Sequence, residues 1–366
     1  MLYVGLDYHL RTSSACIMDQ TGKIVKEFKV DGGLELVLAE FARIKEPWSI
    51  CFEASCGYGV VYDRLITMAA KVIVAHPGQL RLIFKSKKKR DRVDAKKLAQ
   101  VLLLGQVPAV WVPVQDVRNW RELIEFRKAL VNKRTRVKNM IKALLRGCVI
   151  QMARLSEPGL RPRKGLWAKK GIDALLELKL PSQTDVLRRD LLVEELRGLE
   201  GQVKRVEKEL DLRCEKHAGG ALLMTIPGVG ARTAEAALAY IDDPSRFGRN
   251  KQIGSYAGLV PLQDDSGGSQ RLGHITKEGP GTLRWLLVEA AWKSIRGSVS
   301  MREYYQRVRQ GRKDRTKIAI VATAHRLLRV MLSMLKNGEE WRETAGVEDT
   351  VRSTPGGTKS VEDAVR

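Results

Sequence analysis

The stretch LYVGLDYHLRTSSACIMDQTGKIVKEFKV, residues 2 to 30, decides how the chain begins. It holds three short β-rich runs, LYVGLD (2 to 7), SSACIMD (13 to 19) and KIVKEFKV (23 to 30), and the Gln-Thr-Gly turn at 20 to 22 joins the last two as a hairpin. Beyond them LELVLAEFARIK (34 to 45) has helical periodicity, SICFEAS (49 to 55) reads as a buried strand, GVVYDRLITMAA (59 to 70) as a helix and KVIVAHP (71 to 77) as another strand. A basic segment and an amphipathic helix follow. The order β-β-β-α-β-α-β predicts a mixed sheet flanked by helices.

Asp7 lies at the carboxyl end of the first strand and Glu53 at the equivalent end of SICFEAS. Open α/β sheets place their sites at such ends, so neighbouring strands would bring the two side chains together. The run KKKRDRVDAKK (87 to 97) sets Asp91 and Asp94 among Lys87, Lys88, Lys89 and Arg90. Three residues apart at the start of a helix, the two carboxylates share one face near the positive end of the helix dipole. Alone they read equally well as helix caps paired with nearby cations. Combined, Asp7, Glu53, Asp91 and Asp94 form an oxygen-only set that suits Mg²⁺ or Mn²⁺ and excludes soft metals. Two such ions can activate a nucleophile and stabilise a leaving oxygen in phosphodiester chemistry.

At 366 residues, 44% of them hydrophobic, the chain can fill more than one core. Its formal net charge of +23 points to a polyanionic partner, nucleic acid before a membrane surface. No stretch approaches the roughly 18 uninterrupted apolar residues of a spanning helix, and no signal peptide precedes the first strand, so a cytoplasmic, nucleoid-associated protein is expected. Five scattered cysteines without a CxxC pair read as reduced, and the five dispersed histidines offer no metal cage.

The remaining chain reads as mostly helical. Residues 115 to 150 form one long basic helix, 151 to 183 an irregular basic insertion holding one short helix, and 184 to 216 a second charged helix. The two long helices suggest an antiparallel or dimeric coiled coil. A Gly-Gly pair near 219 ends the second, and a compact region runs to about 337 before a polar, disordered tail. The expected division is therefore 1 to 110, 111 to 218, 219 to 337 and 338 to 366.

Within the third region, ALLMTIPGVGARTAEAALAYI (221 to 241) reads as helix, Pro-Gly-Val-Gly turn and helix. Gly228 and Gly230 would let such a helix-hairpin-helix element offer backbone amides to a DNA phosphate. Ser266 lies in Asp-Asp-Ser-Gly-Gly, and Arg271, His274, Lys277 and Arg284 follow within reach of a common phosphate. No hydrolase triad surrounds the serine. Its spacing alone does not make it catalytic.

Taken in order, VGLDYH, CFEAS, RDRVDAKKLA, TIPGVGARTA, SYAGLVP and DDSGGSQRLGHITKEG resemble the bacterial insertion-sequence transposases of the IS one-ten type, also described as bridge-RNA-guided DEDD recombinases. The resemblance covers roughly residues 2 to 337. It implies an α/β amino-terminal domain of RuvC-like (ribonuclease H) fold, with Asp7, Glu53, Asp91 and Asp94 as metal ligands, followed by coiled-coil-like helices and a mainly helical transposase domain. It also implies that Ser266 is a nucleophile forming a covalent DNA intermediate, that donor and target duplexes are read with a structured noncoding guide RNA, and that dimers assemble to tetramers, with the metal domain of one protomer serving the serine domain of another. Two rival readings stay open. One is a metal-dependent junction or strand nuclease in which Ser266 is a turn residue, and the other a non-catalytic nucleic-acid scaffold whose carboxylates only cap helices.

Overall fold

The structure, a computed structural model, describes residues 1–83, 91–151, 165–266 and 269–343, with main chain alone for 91, 92, 264–266 and 269–272. Lys87, Lys88, Lys89 and Arg90, most of the basic insertion and the chain after 343 lie outside the described residues. The chain divides into two compact units, Met1–Arg118 and Asn119–Arg366.

In the first unit β1 (Leu2–Asp7), β2 (Thr12–Met18), β3 (Ile24–Asp31), β4 (Trp48–Glu53) and β5 (Lys71–Ala75) form one sheet in the order β3-β2-β1-β4-β5. The β1–β2 and β2–β3 pairs are antiparallel, whereas β1–β4 and β4–β5 are parallel. The mixed sheet expected from the sequence is thus present. Side chains alternate across it, as the period of two requires. Val4, Leu6, Ala15, Ile17, Ile50 and Phe52 pack with Val37, Leu38 and Phe41 of α1 (Leu34–Phe41) and with Val61 and Leu65 of α2 (Tyr58–Leu65). On the opposite face, α4 (Asp91–Leu103) lays Ala95, Leu98, Ala99 and Leu102 over Cys16, Met18 and Cys51, with α3 (Pro77–Ile83) adding Leu80. Both faces of the sheet are therefore covered. That explains why β1 and β4 are mostly apolar before their terminal carboxylates, Asp7 and Glu53.

In the second unit α5 (Gln115–Gly147), whose first turn belongs to the first unit, lies against α7 (Gln183–Lys216). Leu130, Val137, Ile141 and Leu145 share a core with Leu192, Val193, Leu196, Leu199 and Val203, and Ile172 and Leu175 of α6 (Lys169–Glu177) join it. Two ion pairs fix the direction: Arg127 meets Glu207 and Lys138 meets Glu200 (3.0 Å), so partners descend along α7 as they ascend along α5. Within the chain the two long helices form an antiparallel pair.

The other core belongs to α8 (Ala218–Met224), α9 (Ala231–Ile241), α10 (Gln252–Tyr256), α11 (Gly281–Gly297), α12 (Val299–Arg309) and α13 (Thr316–Asn337), joined by Trp120, Ile124, Leu210 and Cys214 from the long helices. Gly219 and Gly220 correct the sequence reading: α7 stops at His217, and the glycines lie inside α8. A Cβ on Gly219 would stand 2.6 Å from Leu238 Cδ2, and one on Gly220 2.3 Å from the Cys214 carbonyl oxygen, so they permit close packing rather than terminate a helix. Glu343 Oε1 accepts from the Ser300 amide (2.7 Å) and Ser298 Oγ (3.0 Å), and the Trp341 amide donates to Thr225 Oγ1 (3.0 Å), which anchors the chain beyond 337.

Among the described helices α13 is long and apolar enough to cross a membrane, with a mean hydropathy of 1.6 in its most apolar window. Its buried face, from Ala319 through Leu328 to Leu332, lies in the core of the second unit.

Candidate phosphodiester-processing site

In the first unit carboxylates stand at the carboxyl ends of two adjacent interior strands. Leu6 stands opposite Phe52 in the parallel β1–β4 ladder, so the residues that follow, Asp7 and Glu53, end adjacent strands side by side. Gly5 decides where the third carboxylate goes. A Cβ at Gly5 would lie 2.0 Å from the Ala95 carbonyl oxygen and 2.4 Å from the Ala99 nitrogen, so α4 crosses β1 in backbone contact. Asp94, the residue before Ala95, is thereby delivered to the Asp7 end of the strand. Asp91 lies three residues earlier, at the first position of the helix, with only its main chain described. Sequence reasoning passed over Gly5, although a glycine amid a buried strand is itself a signal of close backbone approach.

Asp7 is largely buried and stands 3.3 Å from His9 Nε2, and Asp94 is half-buried and 3.4 Å from Lys97 Nζ. Lys97 is the cation that faces Asp94 here. Among the described residues no group of three His, Cys, Asp or Glu side chains forms a ready-made metal cage. The donor chemistry nevertheless fits a hard divalent cation: Asp7, Glu53 and Asp94 offer only oxygens, from a rigid sheet and a helix docked on it.

In the second unit Ser266 closes β6 (Pro261–Ser266) and pairs in register with Ser269, the first residue of β7 (Ser269–Ile275). The Asp-Asp-Ser segment is therefore the end of a hairpin strand rather than an irregular loop, and Gly267 and Gly268 lie outside the described residues. Arg271 sits opposite Asp264 in the ladder, with main chain alone described. His274 and Lys277 are exposed, and Lys277 holds a left-handed backbone (φ 57°) as its amide donates to the Gly258 carbonyl (3.2 Å).

Arg284 Nη1 donates to the carbonyls of Ala257 (2.8 Å) and Glu278 (2.5 Å), clamping the Lys-Glu-Gly loop onto Ser-Tyr-Ala-Gly, and burial holds its guanidinium below the usual value. Gly228 (φ 90°) is needed for packing, since a Cβ there would stand 2.5 Å from the Ser294 nitrogen of α11. Gly230 alone of the pair is exposed; it N-caps α9 with no atom near its missing Cβ, which leaves room for an approaching phosphate.

A buried charge cluster on α9, which no local pattern announces, involves Glu235 and Arg232. Glu235 on α9 is 1% exposed, lies 3.3 Å from Arg232 Nη1, and is pushed up to about 8 by burial against the opposing pull of Arg232 and Arg127. Arg232 also pairs with Asp211 of α7. Beside it the Tyr240 hydroxyl donates to Glu125 (2.6 Å), which also accepts from Thr282 Oγ1 (2.7 Å). These contacts tie α5, α7, α9 and α11 together.

Comparison with known proteins bears on the whole of this arrangement. Residues 4–150 match the DEDD transposase family of the IS110 kind, and residues 220–306 match the transposase family described as IS116/IS110/IS902. The chain is 26% identical to the transposase for insertion sequence element IS1111A of Coxiella burnetii, over 80% of this chain and 78% of that one. It is 27% identical to the transposase for insertion sequence element IS1328 of Yersinia enterocolitica, over 69% and 73% of the two chains. A Pseudomonas aeruginosa protein described as a "Probable family 20 transposase" is 27% identical over 81% and 86%. The chain belongs to the IS110/IS116/IS902 family of insertion-sequence transposases. It is accordingly a transposase, an enzyme that acts on DNA.

Proposed function

We propose that this transposase exchanges strands between donor and target DNA through a covalent intermediate on Ser266, with the first unit acting as a RuvC-like metal domain. The observation that carries the proposal is the junction of β1, β4 and α4, where Asp7, Glu53 and Asp94 come from three elements locked together by the contact at Gly5. Helix caps would not need Asp7 and Glu53 on adjacent strand ends. Asp91 is the fourth residue of the tetrad that the family resemblance implies. When bound there, Mg²⁺ or Mn²⁺ supplies Lewis-acid stabilisation of charge on phosphate oxygens.

Chemically, the Ser266 hydroxyl oxygen forms a bond to phosphorus as the bond from phosphorus to a deoxyribose oxygen breaks. The serine proton leaves with that oxygen as a hydroxyl. Attack by the hydroxyl of a second strand reverses the exchange, so one P–O bond is made for each one broken and no water is consumed. A hairpin end suits such a nucleophile because two paired strands fix its main chain. A structured guide RNA encoded by the element would select the sequences by base pairing, leaving the protein to read backbone and duplex shape. Dimers assembling to tetramers would bring the metal unit of one protomer to the serine of another.

The competing reading, a metal-dependent nuclease, predicts hydrolysis to free ends. Incubating labelled donor and target duplexes with the protein, Mg²⁺ and RNA transcribed from the element separates the two. Joined donor–target strands are expected from the wild type and none from Asp7→Asn; free ends as the sole product, unaffected by Ser266→Ala, would overturn the serine step.

A further inference from the structure

The cationic face of α12 and α13 is not used by the site above, and residues 307 to 337 lie beyond both matched segments. Between residues 299 and 337 there are ten lysines and arginines against two carboxylates, Glu303 and Asp314. Asp314 is already paired with Arg312 (2.7 Å), so the two helices cannot neutralise themselves. Their arrangement is specific. Two guanidiniums approach the Tyr304 ring on α12, that of Arg307 from its own helix at 5.4 Å and that of Arg326 from α13 at 4.7 Å from its centroid. Stacking on an aromatic face holds an arginine in place without cancelling its charge, as a carboxylate would. Arg307, Lys313, Lys317 and Arg329 are exposed on these two helices and the turn between them.

From Thr316 to Arg326 the helix rises about 15 Å. A DNA duplex presents roughly nine phosphates over that length. We infer that the α12–α13 face, built around the Tyr304–Arg307–Arg326 stack, is a docking surface for the phosphate backbone of duplex DNA, separate from the strand-exchange site. Duplex is favoured over single strand because two arginines already approach the Tyr304 ring on which an unstacked base would stack. Helix-borne guanidiniums position a backbone without reading its sequence, so the contact is sequence-independent.

The proposal rests on the reading of the chain as a DNA-processing enzyme, and its test is independent of Ser266. Binding of the full chain to a short mixed-sequence DNA duplex is measured against salt concentration for the wild type, for Ser266→Ala and for the triple variant Arg307→Gln, Lys317→Gln, Arg329→Gln. All three substituted side chains are exposed. The triple variant is expected to lose about 2 to 3 from the slope of log K against log salt, at about 0.9 per phosphate contact, and tenfold or more in affinity near ~0.15 M salt. Ser266→Ala should keep the wild-type slope. Tyr304→Phe retains the stacking face and should do so too. An unchanged slope in the triple variant overturns the proposal, as does a loss confined to a double-stranded RNA probe. A lowered slope together with a Ser266→Ala protein that still exchanges strands overturns the serine mechanism alone.

Discussion

Gly5 shows how much one residue can decide. With 2.0 Å between its missing Cβ and the Ala95 carbonyl, Gly5→Ala must push α4 off β1 and carry Asp94 away from Asp7. The expected cost is roughly 1–3 kcal/mol of stability or more, measured by denaturant unfolding, together with loss of DNA cleavage. A Gly5→Ala protein with wild-type stability and cleavage would remove the basis for placing the tetrad here. Glu235 gives a second prediction at this scale. Its folded pKa of about 8 lies above the ordinary carboxylate value of 4.5, so the folded state keeps a proton that the unfolded chain has lost. This contribution is fully present below pH 4.5 and disappears as pH rises towards 8. Glu235→Gln should therefore raise stability at pH 8 by on the order of 2 kcal/mol and flatten the decline between pH 4.5 and 8. A decline as steep as that of the wild type would show that Glu235 is not its source.

At the scale of elements, the sequence was most legible where periodicity and burial agree. The strands of the first unit and the long helices fall within a few residues of their expected bounds, because a sheet buried on both faces and a helix buried along one stripe leave strong apolar patterns. Glycines were the least legible, since a glycine for a turn and a glycine for close packing look identical in one dimension. Gly219 and Gly220 read as a stop and lie inside a helix in close packing, and Gly228, read as part of a phosphate-binding turn, also accommodates α11. Asp7 and Glu53 could be paired from strand order, whereas the reach of Asp94 depended on the crossing of α4, which no local pattern encodes. The distinction between the two hairpin glycines is testable. Gly228→Ala combines a positive φ with a 2.5 Å clash and should destabilise the protein by roughly 1–3 kcal/mol, while Gly230→Ala should leave stability within about 0.5 kcal/mol and weaken DNA binding. The reverse order in thermal unfolding would invert their assigned roles.

At the scale of the whole molecule, the charge of +23 is distributed among two kinds of position. Some cations are internal fasteners: Arg284 on loop carbonyls, Arg118 on Asp63, Arg127 on Glu207. Others, such as Arg307 and Lys317 on α12 and α13 and Lys313 in the turn between them, are exposed. Net charge alone predicted a polyanionic partner but could not sort these classes, because the sorting depends on which carbonyl or carboxylate folding brings near. Removal of divalent metal with a chelator should abolish strand cleavage while leaving salt-dependent DNA binding in place, since the carboxylates and the cationic faces do different work; concurrent loss of both would place metal in the binding surface instead.

The central claim is that Ser266 becomes bonded to DNA. The most direct measurement uses end-labelled donor duplex, Mg²⁺ and the element's RNA, with the reaction stopped by denaturant and protein–DNA adducts resolved by size and mapped by mass spectrometry. The account predicts an adduct on the peptide containing Ser266 in the wild type and none in Ser266→Ala, whose DNA binding is unchanged. An adduct that persists in Ser266→Ala, or that maps to another residue, would contradict it.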